Sequence, residues 1–549
     1  MRGCHRPKQN VCSDSAEEEA GADVSAPHHE PDIRPNSKHR ASKAGRMPPH
    51  LILIHPPSHL ESDELRDRHA LASATVASSA LFEYYPLGFL SLLEYLERHS
   101  FAVRIVNLAV KMSKSRRFDP RRMIRKFHPL AFGISLHWLT HANGALDLAR
   151  VCKEEHPDIP VLFGGLTASY YHEELIQSPD VDYILRGDST EQPVVDLLRC
   201  LDGRREPTDV ANLTWKKKGE AVFNPLTYQP NLLDIRVDYG RLIKHIIRYR
   251  DLRGSLLTGY QWPAYAFNMT LSCRGCTLNC LTCGGTNRAL GRTALAVRDP
   301  EILAAEVIAA QRITPHPVGI VGDIRQHDPD RLIEALRRRK PSRPLSLESY
   351  GAVDEEFLKK LGTLGPPPEI HMSPETHDEE IRANYGRCYT NEQLETGLGG
   401  VLDMGGKALL FFAVGLPGQT RESVMESVAY AERLLERFSA RHPGKLDIQF
   451  SPLLPFIDPG SLAFEHPEAT GYRLFARTLA EHCALLRQPD LREALNYETE
   501  WMTRADIIAA GTEAMDRMID IRARCGILKG KWVEKERAKI RSAQTEDPR

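Results

Sequence analysis

The chain has 549 residues, 42% of them hydrophobic and 26% charged, with a formal net charge of -1. That length allows two or three domains with separate cores, and the composition is that of a soluble globular protein. The near-neutral balance gives nucleic-acid binding no global electrostatic support, no apolar run reaches the ~18 residues a membrane span needs, and the N-terminus lacks the apolar core of a secretory signal. No nucleic-acid partner and no membrane span are therefore expected. The setting expected is cytoplasmic and reducing, where clustered thiols bind metal or do redox work more often than they form disulfides.

Residues 1–48 are polar, aromatic-free and rich in Pro, Ser and Ala, the composition of a disordered tail. Cys4 and Cys12 lie there and are given no role. Residues 49–205 alternate strand and helix: "LILIHPP", the amphipathic "PLGFLSLLEYLERHS" with Phe89, Leu93 and Leu96 on one face, "FAVRIVNLAV" read as a strand, "PLAFGISL", a helix around "GALDLARVCKEEH", "IPVLFGGLTAS" and "VDYILRGDSTEQPVVDLLRCL". This rhythm predicts an α/β fold, a Rossmann-like, doubly wound parallel sheet. Such sheets take ligands in the loops beyond the strand carboxyl ends. Here those are "HPPS", "NLAVKMS", "SLHWLT", "GGLTAS" and "RGDSTE".

Residues 206–260 hold a β-hairpin, "NLTWKKKGEAVFNPLTY", and a linker. A second alternating stretch fills 261–460. "AYAFNMT" leads into a cysteine run, and "DPEILAAEVIAAQR" is a helix with Asp299 as N-cap and Pro300 at its first position. Then come "PVGIVGD", "PLSLESY", "EIHMSPE", "KALLFFAVGLPG", the helix "RESVMESVAYAERLLERF" and "LDIQFSP". Six strand-helix repeats predict a partial β/α barrel with its chemistry at the strand carboxyl ends. Residues 461–530 read as a helical region covering the open side of that barrel, with Tyr497 and Trp501 as a candidate lining. Residues 531–549 read as a charged tail.

Four of the chain's 11 cysteines fall in "CRGCTLNCLTC", residues 273–283. Cys273, Cys276, Cys280 and Cys283 make two CxxC pairs, the donor set of a structural zinc site, but the gap between the pairs is very short for a zinc ribbon. Alternatively Cys276, Cys280 and Cys283 hold three irons of a [4Fe-4S] cluster and leave the fourth open to a substrate. Gly284 and Gly285 follow and let backbone approach the cluster.

A CxxxCxxC run after the first strand of a six-repeat β/α barrel resembles the radical S-adenosylmethionine (radical SAM) superfamily. The preceding Rossmann-like domain makes the chain similar to the subfamily with an N-terminal cobalamin-binding domain. "YPLGFLSLLEYLERH", "RGDSTEQP", "MSPETHDEEIRANYGRCYTNEQLE" and "VGLPGQT" also resemble that subfamily, and the resemblance covers roughly residues 50–530. It implies that Cys276, Cys280 and Cys283 are the cluster ligands, with Cys273 a loop thiol outside the motif. It implies S-adenosyl-L-methionine (SAM) contacts from strand ends: Asp323 beside Gly322 where relatives carry a Gly-Gly-Glu-like motif, Glu348, and Ser373 with Glu375. The plainer role for Ser373 is to cap the following helix. "GLPGQT", from Gly415 to Thr420, is expected to turn near the adenine, or to be only a tight turn with Thr420 as N-cap.

The familiar cobalamin signature places a histidine below cobalt as Asp-x-His-x-x-Gly. The matching residues 107–112 put Asn107, Ala109 and Met112 at the three signature places, so no histidine ligand comes from this loop. Gly164, Gly165 and Gly187 remain as backbone that could lie against the corrin. His137, Trp138 and His141 face either the cofactor or the sheet edge. The resemblance implies a [4Fe-4S] cluster, SAM and cobalamin as cofactors, a ferredoxin or flavodoxin as one-electron donor, and a small-molecule or lipid substrate. The implied reaction is methylation of an unactivated carbon through a 5'-deoxyadenosyl radical. Radical cyclisation or C–C rearrangement is the alternative chemistry, and a non-catalytic zinc- or iron-sulfur-binding scaffold the alternative class.

Overall fold

The computed structural model describes residues 48–61, 87–115, 117–203, 205–251, 269–452, 457–488 and 490–544. The expected N-terminal tail and most of "AYAFNMT" lie outside them. Five parallel strands build the first sheet: β1 Leu51–His55, β2 Val103–Asn107, β3 Ala131–Ser135, β4 Val161–Gly164 and β5 Tyr183–Leu185. The apolar run of β1 is buried along all five residues, as a parallel sheet covered on both faces requires. The predicted hairpin, β6 Leu213–Lys217 and β7 Glu220–Phe223, is not separate. It adds to β5 antiparallel, giving the order β2-β1-β3-β4-β5-β6-β7.

One sequence expectation fails locally. "FAVRIVNLAV" is a strand only to Asn107; Leu108–Lys114 is a helix. The cause is the Asn107 side chain, which accepts from Val110 N at 3.0 Å and starts the helix as its N-cap.

The second sheet is parallel throughout, in the order β16-β15-β14-β13-β12-β9. Its strands are β9 Met269–Leu271, β12 Val318–Val321, β13 Leu345–Ser349, β14 Glu369–Glu375, β15 Lys407–Val414 and β16 Leu446–Pro452. Helices follow with side-chain caps where the sequence offered them: Asp299 before Pro300–Gln311, and Thr420 before Arg421–Ser439. Val424, Val428, Ala431 and Leu435 form the buried stripe of the latter. Between the two sheets a short one, unseen in the sequence, pairs β10 Cys273–Arg274 with β11 Ala296–Arg298, and β11 with β8 Leu232–Leu233. Arg298 in β11 is buried and gives both Nη atoms to the Glu306 carboxylate, one at 3.1 Å and one at 2.7 Å. Glu306 also accepts from Val237 N at 2.9 Å, which ties the linker to the barrel.

The C-terminal region is helical but also carries an antiparallel strand pair, β17 Tyr472–Leu474 with β18 Tyr497–Thr499. Tyr497 therefore lies on a strand, fully buried, whereas Trp501 is largely exposed. The long helix Arg504–Arg524 covers the edge strand β16, its Arg522 guanidinium bonding both oxygens of Asp447 at 2.7 Å. The expected charged tail forms a helix, Lys531–Gln544. No helix among the described residues is long and apolar enough to cross a membrane.

Two helix glycines show how closely the loops are packed. A Cβ on Gly144, in the helix Ala142–Glu155, would sit 1.9 Å from Pro57 O; one on Gly397, in the helix Asn391–Asp403, would sit 2.3 Å from Val353 O. Alanine at either site raises helix propensity by about 1 kcal/mol, yet the expected net effect is a loss of about 1–3 kcal/mol from the clash, read as a fall in the denaturant midpoint. Acid should also weaken the fold. Burial holds His482 at about 4 against an ordinary 6.5, and burial with the Arg104 and Arg248 charges does the same for His245. Folding favours the neutral rings, so their contribution is complete above pH 6.5 and falls as pH drops toward 4, by about 1.4 kcal/mol per pH unit for each. Unfolding curves across that window measure the slope.

Candidate active site

The cysteine loop begins where β9 ends. Ser272 donates both its backbone N–H, at 2.9 Å, and its hydroxyl, at 3.0 Å, to Val321 O at the end of β12. Gly322, at φ +92°, passes so close that a Cβ there would lie 2.9 Å from Cys273 Sγ. The Cys273 thiol thus packs against the end of β12, and burial raises it to about 11. Cys276 Sγ donates to Gln326 Oε1 at 3.2 Å, and the same oxygen accepts from Thr277 N and Oγ1, each at 2.8 Å. Cys280 is buried where Gly386 crosses it, with Leu281 N donating to Tyr385 O at 2.9 Å. Cys283 Sγ accepts from Gly285 N at 3.4 Å, and Gly284 N donates to Asp458 Oδ2 at 2.9 Å.

None of these thiols is in a disulfide. Burial pushes Cys280 to about 11 and Cys283 to about 12. Thiols buried in this way ionise when a bound cation supplies the compensating charge. Among the described residues no three His, Cys, Asp or Glu side chains gather tightly enough for a single metal ion. Three spaced thiols, with Cys273 turned to β12, suit a [4Fe-4S] cluster in which three irons take one thiolate each and the fourth stays open.

The carboxylates sort differently. Asp323 is consumed locally: Oδ1 accepts from Arg325 N and Nε, and Oδ2 accepts from Tyr350 N at 2.9 Å and Arg325 Nη2 at 2.6 Å. It caps the turn Ile324–Gln326. Glu348 Oε2 accepts from Gly322 N at 2.8 Å and from the Tyr350 hydroxyl at 2.7 Å. Ser373 does not cap the next helix; Asp378 does, and Ser373 O accepts from Tyr389 OH at 3.4 Å. Glu375 sits at φ +66°, a left-handed backbone that non-glycine residues rarely adopt. Burial pushes its carboxyl up to about 7 in spite of Arg387 at 3.5 Å. Arg387 lies 5.1 Å over the Tyr350 ring and donates to Tyr350 O at 2.9 Å. Gln326, Tyr350, Arg387 and Asp458 escaped sequence reasoning, although "IVGDIRQ" and "NYGRCYT" contain the first and third. "GLPGQT" is a tight turn in which Gln419 Oε1 accepts from Gly415 N and Leu416 N, both at 2.9 Å, and Thr420 caps the next helix.

At the carboxyl edge of the first sheet the glycines divide. Gly165, at φ +114°, is required by packing, since a Cβ would meet the His137 backbone at 2.7 Å. Gly164 and Gly187 are not forced by packing: a Cβ there would meet its nearest neighbours at 3.8 Å and 3.5 Å, ordinary contact distances. Ala109 is fully buried inside the short helix after β2. His55 and His141 stack edge to face at 4.7 Å, both buried. Burial holds His137 neutral, at about 4, with its ring edge-on to Trp138. Small residues at this edge are compatible with a corrin lying against it, and residues 107–112 carry no histidine to ligate one, Ala109 being packed into the scaffold.

Two stretches of the chain match known families. Residues 74–195 match the family described as B12 binding domain, and residues 270–431 match the Radical SAM superfamily. A protein called uncharacterized methyltransferase PH0819, from Pyrococcus horikoshii, is 23% identical over 64% of this chain and 73% of its own. Among solved structures, the radical SAM methyltransferase TsrM from Kitasatospora setae, with cobalamin and a [4Fe-4S] cluster bound, aligns over 90% of this chain and 99% of its own. The TM-score is 0.57 and the identity 16%. The cobalamin-dependent SAM radical enzyme OxsB, with aqua-cobalamin and SAM bound, aligns over 90% of this chain and 71% of its own, at TM-score 0.57 and 14% identity. At these identities the structural likeness establishes the fold. The chain thus carries a match to the B12 binding domain followed by a match to the Radical SAM superfamily, one over each of its two parallel-stranded sheets.

Proposed function

We propose that the protein is a cobalamin-dependent radical SAM methyltransferase acting on an unactivated carbon of a small molecule. The observation that carries this reading is the loop of three thiols at the carboxyl edge of one parallel sheet, joined to the carboxyl-edge loops of a second. When bound, the cluster supplies the single electron that cleaves SAM and cobalamin supplies a methyl carrier. Cys276, Cys280 and Cys283 would hold the cluster, and Gly284 and Gly285 keep backbone close to it. Glu348 and Glu375, held by Gly322, Tyr350 and Arg387, present acceptors for the ribose and ammonium groups of SAM. Asp323, saturated by Arg325 and Tyr350, shapes the loop instead. Gly164 and Gly187 would admit the corrin, with Gly165 fixing the loop between them.

The substrate would lie over the inner face of the barrel sheet. Apolar residues such as Leu347, Met372 and Phe450 alternate outward into the core. His371, Phe411 and Gln449 therefore face inward. His371 Nε2 lies 3.2 Å from Ser346 Oγ, its ring 6.3 Å from Phe411, and Gln449 Oε1 is buried without a hydrogen-bond partner among the described residues. A ring bearing a polar group suits this lining, and the TsrM structure that carries tryptophan as substrate is in keeping with it. A ferredoxin or flavodoxin would deliver the electron.

Two experiments test the reading. Anaerobic reconstitution should load about four irons and yield 5'-deoxyadenosine with SAM and reductant. Alanine at Cys276, Cys280 or Cys283 should cut that yield by at least about 100-fold, while Cys273→Ala keeps the iron content; tetrahedral zinc with four thiolates would refute it. Methyl-labelled SAM, supplied with a small-molecule extract of the source cells, should pass its label to a product other than methionine. Label confined to methionine would instead indicate cyclisation or rearrangement.

A further inference from the structure

The segment "RGDSTE" stands out in the sequence, and nothing in the proposed chemistry uses its side chains. The structure gives them a partner. Arg274, two residues before Cys276, reaches across to the loop after β5. Its Nη2 donates to Glu191 Oε1 at 2.6 Å and to Ser91 Oγ at 3.1 Å; its Nη1 donates to Ser189 Oγ at 2.9 Å and to Glu191 Oε2 at 3.2 Å. Ser91 lies 2.8 Å from Glu191 Oε1 and donates to it. The pair is out of water, with side-chain exposures of 11% for Arg274 and 2% for Glu191. A second contact lies beyond the cysteines. Arg292 Nη1 donates to Asp188 Oδ1 at 2.9 Å and Nη2 to Pro230 O at 2.7 Å, with Arg292 2% exposed. The Arg292 backbone N–H donates to Asn287 O, and Asn287 N to Cys276 O, each at 2.8 Å.

We propose that Arg274 and Arg292 are positioning residues that clamp the cysteine loop, before and after its thiols, onto Asp188–Glu191 of the first domain. The clamp fixes the spacing between the cluster and the corrin. This rests on the cofactor assignment above and adds to it the groups that set the geometry. A bidentate guanidinium–carboxylate pair suits the task, because its two parallel bonds fix orientation as well as distance. Its burial makes it intolerant of a missing partner, since either group alone would be an uncompensated charge. Positive φ at Gly187, +101°, turns the chain so that Asp188, Ser189 and Glu191 all reach the barrel.

The test uses the full chain loaded with cluster and cobalamin, reduced so that both are paramagnetic, and reads their dipolar coupling by EPR spectroscopy. Arg274→Gln and Glu191→Gln each strand one buried charge, so each single variant should widen the spread of coupling to at least about twice that of wild type, and the double variant, which strands none, should widen it no further than either single. Asp188→Asn should widen it independently. Asp447→Asn, which loosens the distant Arg522 pair, is the control for simple destabilisation and should leave the spread unchanged. In the unloaded protein, hydrogen exchange in Arg274→Gln should rise together in peptides around 186–195 and 272–294, and not around 345–375. A coupling spread equal to the control in all three single variants overturns the proposal, as does exchange that rises in only one of the two loops. If wild type takes up neither cofactor, the functional reading fails, while the exchange experiment still decides whether the clamp exists.

Discussion

Parallel strands deliver their carboxyl ends to one edge, and this chain brings loops from the five parallel strands of its first sheet against loops from the six of its second. Everything chemical follows from the join. The thiol loop begins at the end of β9, Gly322 and Asp323 follow β12, Glu348 and Tyr350 lie at the end of β13 and just beyond it, and Glu375 closes β14. Gly164 and Gly187 hold the corresponding places on the first sheet. Loops are free to carry function because a rigid scaffold holds their ends. Here one apolar core runs from the first sheet into the barrel, and the buried guanidinium–carboxylate contact of Arg274 with Glu191 ties the two at the site itself.

Most elements could be read from the sequence because their signals are local. "LILIH" is apolar at every position, and Asp299-Pro300 announces a helix start. Contacts distant in sequence could not be read. Arg274 and Glu191 are 83 residues apart, and no periodicity marks either. The small sheet that threads Cys273 between β11 and the barrel consists of pieces two or three residues long, too short to show alternation. The hairpin 213–223 was visible as a hairpin, but its attachment to β5 depends on an edge that only the assembled sheet possesses. Tyr497 was expected on a helix because its neighbourhood is helical; a two-strand ribbon with Tyr472 buries it instead.

The carboxylates show how a motif can be right in position and mixed in role. Asp323, Glu348 and Glu375 all stand at strand ends, as expected. Asp323 is saturated by Arg325 and the Tyr350 backbone, the behaviour of a loop brace. Glu375 is held against its ordinary chemistry by burial in a left-handed backbone, with Arg387 as partner. Strain of this kind persists only where surrounding structure over-determines it. Arg387 serves several neighbours at once: it pairs with Glu375, covers Tyr350, and its charge acts against the burial that raises Cys280. The sequence displays each charge but not which charges share a site.

The same logic governs residues 107–112. Asn107 occupies the first place of the cobalamin signature, but its side-chain oxygen is spent on Val110 N, and the helix so begun seals Ala109 inside the sheet. Residues 107–112 are thus built into the scaffold and cannot act as a ligand arm. With no imidazole offered there, what this part of the protein contributes is placement rather than ligation. Placement depends on the loops at Gly164, Gly165 and Gly187, and on what holds them. Gly165 is packed against His137 and Gly187 is turned into the clamp, so the surface that would meet the corrin is fixed from one side by its own sheet and from the other by the barrel. The buried charges between the two sheets, Arg274 with Glu191 and Arg292 with Asp188, hold those loops in place.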